Sequence, residues 1–250
     1  MFKHKSGRKS EYTVDEEAQR FFMNGYFTRS FTPDTSLNHL LRVVKEVNTN
    51  PKTGFAWEKK YERSEDLSPP VYAYDDIFVN FLFTQNIPQF LRDVTGFDLA
   101  LGDIALRRHE PGQSYMAWHR DTHFYSGQKS AGRMPPIYKI IVYFALGEQP
   151  SPQLQVVPGS HLRFFQNQYL DYAQAFMAKK VTISSSDSAY FFFNSMLFHN
   201  VPNNRTDKPS LRLFYNFCQP SQLKHFPGRE DLHQTYLQKK SAFAKKEYIQ

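Results

Sequence analysis

The chain has 250 residues, 40% hydrophobic and 16% aromatic, including 24 Phe and 15 Tyr. At this length roughly 70–75% of the unfolded surface can be buried without covalent staples, and the aromatic loading excludes a disordered chain and favours strands. Thirty-one basic against 24 acidic residues leave a formal charge of +7, and the one cysteine, Cys218, excludes both an internal disulfide and a cysteine-built zinc site, so any metal must be held by nitrogen and oxygen donors.

The N-terminus, MFKHKSGRKS, is basic but no apolar stretch follows it, so no secretory signal is expected. No run of eighteen apolar residues follows either, which argues against a membrane partner and makes the cytoplasm the expected location. Basic residues cluster at the two ends, in Lys3, Lys5, Arg8 and Lys9 and in Lys239, Lys240, Lys245 and Lys246. No nucleic-acid-binding motif accompanies them, which argues against a nucleic-acid partner and leaves attraction of an anionic small molecule.

Thr13 and Glu16 form a capping box, which predicts a helix running to Asn24 and ending at Gly25. A second helix is expected from Asp34-Thr35, with Leu37, Leu40, Leu41, Val44 and Val47 on one face. Residues 50–70 mix charges with Pro51, Gly54, Pro69 and Pro70 and read as a loop or lid. Residues 75–94 read as helical, kinked or divided at Pro88.

From Leu101 the texture becomes short runs of aromatic and β-branched residues. Strands are expected at 103–109, 115–119, 138–146, 154–157, 189–193 and 211–219, with Pro- and Gly-containing breakers between them. One helix, at about 168–180, interrupts the series, and the tail after Pro227 reads as helical. Helices followed by many short strands predict a mainly β sandwich or barrel with flanking α-helices. The whole chain reads as one domain: a helical part at about 13–100, a β core at about 101–220 and a tail at 227–250.

The chemistry concentrates in Trp118-His119-Arg120-Asp121. In an extended chain His119 and Asp121 face one way and Trp118 and Arg120 the other. An imidazole and a carboxylate on one face can take adjacent positions around a divalent metal. A third ligand must come from elsewhere, and among His123, His161, His199, His225 and His233 the best placed is His199, after an apolar run and a short turn. Two histidines and one carboxylate leave open positions that suit iron(II) with an organic chelate and dioxygen. Arg212 lies in the apolar strand-like run 211–217, where a guanidinium is costly unless it meets a carboxylate, such as that of a bound dicarboxylate. His161 reads as a turn residue, and His109, His225 and His233 as structural or solvated.

With these residues in place, the chain resembles the iron(II)/2-oxoglutarate dioxygenases, and within them the phytanoyl-CoA dioxygenase-like branch. The resemblance runs from about residue 15 to 219. It rests on Asn24-Gly25-Tyr26-Phe27, on Arg108-His109-Glu110-Pro111-Gly112-Gln113 before Trp118-His119-Arg120-Asp121, on Leu154-Gln155-Val156-Val157-Pro158-Gly159-Ser160-His161, and on Asp187, Phe192, His199, Asn203 and Arg212 in that order. It implies a double-stranded β-helix (jelly-roll, cupin-like) core, with His119, Asp121 and His199 as iron ligands and Arg212 gripping the distal carboxylate of 2-oxoglutarate. Phe214 stands where many relatives have a serine, so the second contact to that co-substrate is sought at Tyr115, Lys139 or Ser210. Asp121 is intact, which argues against halogenation.

The implied activity is hydroxylation of a small metabolite of natural-product, amino-acid or sugar type by iron(II), 2-oxoglutarate and dioxygen, with release of succinate and carbon dioxide. Desaturation, cyclisation or epimerisation could use the same metal site. Two other classes stay open: an oxygenase acting on protein or nucleic acid, and a non-catalytic jelly-roll binding module. The regions 50–70 and 126–136 are the candidate lids, and a monomer or homodimer is expected.

Overall fold

The computed structural model describes residues 14–62, 64–112, 116–121, 137–144, 154–163, 165, 167–183 and 189–247. Helix α1 (Val14–Asn24) leads into strand β1 (Tyr26–Ser30). Gly25 lies between them at φ +81°, and a side chain there would meet the His161 ring at 2.5 Å, so the helix stops where only glycine fits. Thr13, the expected cap, falls outside the described residues. Helix α2 (Thr35–Thr49) begins at Asp34, whose carboxylate accepts the Leu37 N–H at 2.8 Å. The helix buries Leu37, Leu40, Val43, Val44 and Val47.

The segment expected as a loop or lid is instead a hairpin of β2 (Ala56–Tyr61) and β3 (Ser64–Ser68). Its side chains are mostly polar, and those of β2 are mostly exposed, so no apolar period marks it. Pairing with the next sheet strand holds it in place, aided by Arg107 Nη2 donating to Asp66 Oδ2 at 2.9 Å and Arg108 Nε to Glu65 Oε2 at 2.9 Å. The following helical segment divides at Asn86, in the left-handed region at φ +52°, into α3 (Ile77–Thr84) and α4 (Ile87–Thr95). Pro88 sits in the first turn of α4, where its missing N–H costs nothing.

The remaining elements are β4 (Ala100–His109), β5 (Met116–His119), β6 (Tyr138–Phe144), β7 (Leu154–Val156), α5 (Gln168–Met177), β8 (Val181–Ile183), β9 (Ala189–Asn194), β10 (His199–Val201), β11 (Ser210–Cys218) and α6 (Glu230–Glu247). They form two antiparallel sheets, β1-β9-β6-β11-β4-β3-β2 and β5-β10-β7-β8. The result is a mainly β jelly roll with flanking helices, as expected.

Two apolar layers hold it. Between the sheets lie Ile141, Tyr143, Leu154, Val156, Phe191 and Phe193. On the other face of the large sheet, Ile140, Val142, Phe192, Leu213 and Tyr215 pack in the cluster that includes the helices. Strands β6 and β9 are therefore buried on both faces, which is why they read as continuous apolar runs rather than alternating ones. Among the described residues no helix is long and apolar enough to cross a membrane.

Candidate metal centre

The site forms on the small sheet, facing the space between the two sheets. His199 on β10 is the register partner of His119 on β5, so the two imidazoles lie side by side with ring centroids 4.2 Å apart. Asp121 follows just past the end of β5, fixed by its N–H donating to Ser195 O at 2.9 Å. Its carboxylate stands 3.3 Å from His119 Nε2 and 3.6 Å from His199 Nε2. One donor atom from each of the three residues lies within 4.8 Å of the others.

Hydrogen bonds fix which ring nitrogen is free. His119 Nδ1 lies 2.7 Å from Ala117 O, and His199 Nδ1 2.8 Å from Leu197 O. A carbonyl only accepts, so both Nδ1 atoms carry the proton and both Nε2 atoms present lone pairs. Two lone pairs and a carboxylate converging on one point repel one another unless a cation lies between them. This donor set, with each ring braced from behind, is what a divalent metal requires.

Electrostatics prepare the same state. Burial alone would raise the Asp121 carboxyl, but Lys139, with Nζ 2.9 Å from Oδ2, and the two histidines hold it well below the usual range. Burial, reinforced by His119, pushes His199 down to about 3. Both groups are then in their metal-binding forms at neutral pH.

A pH effect on stability follows for the metal-free protein. The folded His199 refuses a proton that the unfolded chain accepts near 6.5. Its contribution is intact above about 6.5 and is lost as pH falls from there toward 3; Asp121 acts in the same direction at the acid end. Thermal midpoints of the metal-free protein should fall over that window. A divalent metal should raise the midpoint at pH 7 more than at pH 5, because protons compete for its ligands. A midpoint independent of pH between 7 and 5, with or without metal, would contradict this placement of His199.

The string Pro158-Gly159-Ser160-His161 supports the site from behind. Gly159 turns the chain at φ +72°, and Ser160 Oγ accepts the N–H of Phe198, the residue before His199, at 2.8 Å. His161 Nε2 donates to Phe22 O at 2.9 Å, a structural role as expected. Arg120, pointing away from His119 and Asp121, is fully buried. Its Nε and Nη2 donate to the two oxygens of Asp171 at 2.7 and 2.8 Å, and its remaining bonds reach the carbonyls of Ser160, Arg163 and Met196. Trp118, on the same side, stacks on Phe198 with centroids 5.7 Å apart.

Arg212 lies on the large sheet and is 1% exposed. It shares a face with Phe214 and Asn216 and with Lys139, Ile141 and Tyr143 of the paired strand. That face, which holds Ile141, Tyr143 and Phe214 of the inter-sheet cluster, looks toward the small sheet. Its guanidinium stacks over Tyr143 at 5.3 Å, and Nη2 donates to His109 Nδ1 at 3.2 Å. Ser210, also buried, pairs across β4 with His109. Thus Lys139, Arg212 and Ser210 all lie on the large sheet, and of the three Lys139 reaches Asp121 directly. Tyr115, His123 and the 126–136 region fall outside the described residues.

One residue's role and two pairings escaped the sequence reading. His109, read as structural or solvated, is buried against Arg212, and a histidine two residues along the strand from Arg107, on the face shared with Arg212, was the available signal. The Lys139–Asp121 and Arg120–Asp171 pairs join residues distant in sequence and left none.

The fold resembles solved enzymes over most of its length. One is the non-haem α-ketoglutarate-dependent epimerase SnoN from nogalamycin biosynthesis (15% identity, 86% of this chain and 88% of that one, TM-score 0.64). Another is EctD from S. alaskensis with 2-oxoglutarate and 5-hydroxyectoine (18%, 87% and 80%, 0.64). A third is HygX from Streptomyces hygroscopicus with nickel, 2-oxoglutarate and hygromycin B (12%, 82% and 87%, 0.64). The chain has the fold of the non-haem 2-oxoglutarate-dependent enzymes. No family model and no curated protein matches the sequence, so likeness to this oxygenase fold is structural, and the phytanoyl-CoA dioxygenase-like branch rests on the sequence strings alone.

Proposed function

We propose that the chain is an iron(II)- and 2-oxoglutarate-dependent dioxygenase acting on a small molecule, with His119, Asp121 and His199 as metal ligands and Arg212 as the anchor for 2-oxoglutarate. The observation that carries this is the convergence of two Nε2 lone pairs and one carboxylate, each imidazole braced by a backbone carbonyl, inside this fold.

When bound, iron(II) supplies activation of dioxygen coupled to oxidative decarboxylation of 2-oxoglutarate to succinate and carbon dioxide. The chain supplies position. His119, Asp121 and His199 would hold the ion, and a set of three protein donors would leave positions for co-substrate and dioxygen. Arg212, oriented by His109, presents a buried fork to the distal carboxylate. Lys139 neutralises Asp121 before the metal arrives and is then the candidate for a second co-substrate contact, with Ser210 and Tyr115.

The substrate belongs with the small, polar biosynthetic compounds. SnoN is an epimerase, SnoK from the same biosynthesis a carbocyclase, and HygX and EctD hold hygromycin B and 5-hydroxyectoine. Hydroxylation is the first reading, and epimerisation or cyclisation the second because SnoN and SnoK share the fold. The charge of +7 favours an anionic substrate. The buried free thiol of Cys218 fits a reducing cytoplasm.

Arg212→Ala tests the anchor. Losing charge-assisted hydrogen bonds of up to about 3 kcal/mol should raise the KM for 2-oxoglutarate about 100-fold while the iron requirement stays put. Equal rises in both requirements would count against Arg212 as the anchor.

A further inference from the structure

Helix α5 packs on the small sheet with its polarity inverted. Its inward side holds Asp171, paired to Arg120, and the small Ala175, both buried. Its outward side carries Tyr169 (86% exposed), Leu170 (55%), Phe176 (81%) and Met177 (84%), while Tyr172 turns its ring edge-on to buried Phe198 at 5.4 Å. Positions 169, 173, 176 and 177 trace the apolar stripe that a helix ordinarily turns toward a core. Together Tyr169, Leu170, Phe176 and Met177 expose on the order of 600 Å², the top of the roughly 300–600 Å² range for the largest apolar patch on an ordinary monomer. Leu162 (51%) and Phe165 (43%), just before the helix, enlarge the patch. Its area then matches the roughly 800 Å² that each partner buries in a stable complex.

We propose that this face is a homodimer interface, two copies of α5 packing antiparallel about a two-fold axis at Ala173. The order of side chains names the occupant. Ala173 is exposed and small, which allows close helix approach at an axis. Around it the large residues are symmetric: Leu170 and Phe176 lie three positions to either side, Tyr169 and Met177 four. A two-fold operator brings Leu170 of one copy beside the partner's Met177 and Tyr169 beside the partner's Phe176, an aliphatic pair and an aromatic pair, each made twice. The interface lies on the outer side of the small sheet, opposite the metal ligands, so pairing leaves the site unobstructed.

Light scattering of the full chain at micromolar concentration should give twice the 29.4 kDa of one chain. Phe176→Glu and Tyr169→Glu should each give the single-chain mass, with far-UV circular dichroism and thermal midpoint showing a folded protein. Independently of those variants, Ala173→Cys should form a disulfide-linked dimer under mild oxidation, whereas Lys59→Cys, on the exposed face of β2, should not. A single-chain mass for the unmodified protein, a two-chain mass that persists in both Glu variants, or failure of Ala173→Cys to crosslink would each overturn the proposal. So would a monomer that floats with vesicles of phosphatidylcholine and phosphatidylglycerol, which would make the face a lipid-binding surface.

Discussion

His199→Ala should lower iron-dependent formation of succinate from 2-oxoglutarate by on the order of 10³-fold or more, because a missing ligand forfeits about 4 kcal/mol of metal-derived stabilisation. His199 is 4% exposed and donates from Nδ1 to Leu197 O, so alanine leaves a small cavity and an unpaired carbonyl. The melting point should therefore drop somewhat, and the comparison needs a temperature at which the variant remains folded. His119→Ala should behave alike in turnover with a smaller stability loss, since its side chain is 23% exposed. Parallel loss in two variants of different stability separates ligation from folding. Unchanged succinate release by either folded variant would remove that residue from the metal site.

Arg120→Ala should cost about 3–5 kcal/mol of unfolding free energy, among the largest losses a single substitution can cause. It strands the Asp171 carboxylate, which is fully buried, and releases the carbonyls of Ser160, Arg163 and Met196. These contacts tie β5, the turn before α5, α5 itself and the turn before β10 to one guanidinium, and they lie between His119 and Asp121 in sequence. The metal affinity should fall with stability, because both ligands ride on the segment that Arg120 holds. Replacing the pair together, Arg120→Met with Asp171→Leu, should recover much of the loss, since no uncompensated charge then remains. Urea unfolding of the three proteins decides the matter, and a loss below about 1 kcal/mol for Arg120→Ala would show that the buried pair is not what fastens this corner.

The legible parts of the sequence were those whose physics is local. Alternation put His119 and Asp121 on one side and Trp118 and Arg120 on the other, and the structure sends one pair to the cluster with His199 and the other into the packing under α5. The helix periods of α2 and the breaking effect of Pro88 were local too. What escaped depends on pairing across the chain. Strands β2 and β3 are polar and gain their stability from β4 and its arginines, so no apolar rhythm marks them. Strands β1, β8 and β10 have five residues or fewer, too few for a period to register, and exist because β9, β7 and β5 offer edges. His109, Lys139 and Asp171 acquire their roles from partners more than 15 residues away, as the sheet register and the buried ion pair dictate.

The central claim is that two neutral imidazoles and one carboxylate form a single ferrous site open to 2-oxoglutarate. Anaerobic titration of the metal-free protein with iron(II) in the presence of 2-oxoglutarate reads this directly, through the visible charge-transfer absorption of the keto-acid chelate on iron. The band should grow to saturation at one iron per chain and be absent in His199→Ala. Failure of the band to appear in the unmodified protein, or a band of the same strength and stoichiometry in His199→Ala, would contradict it.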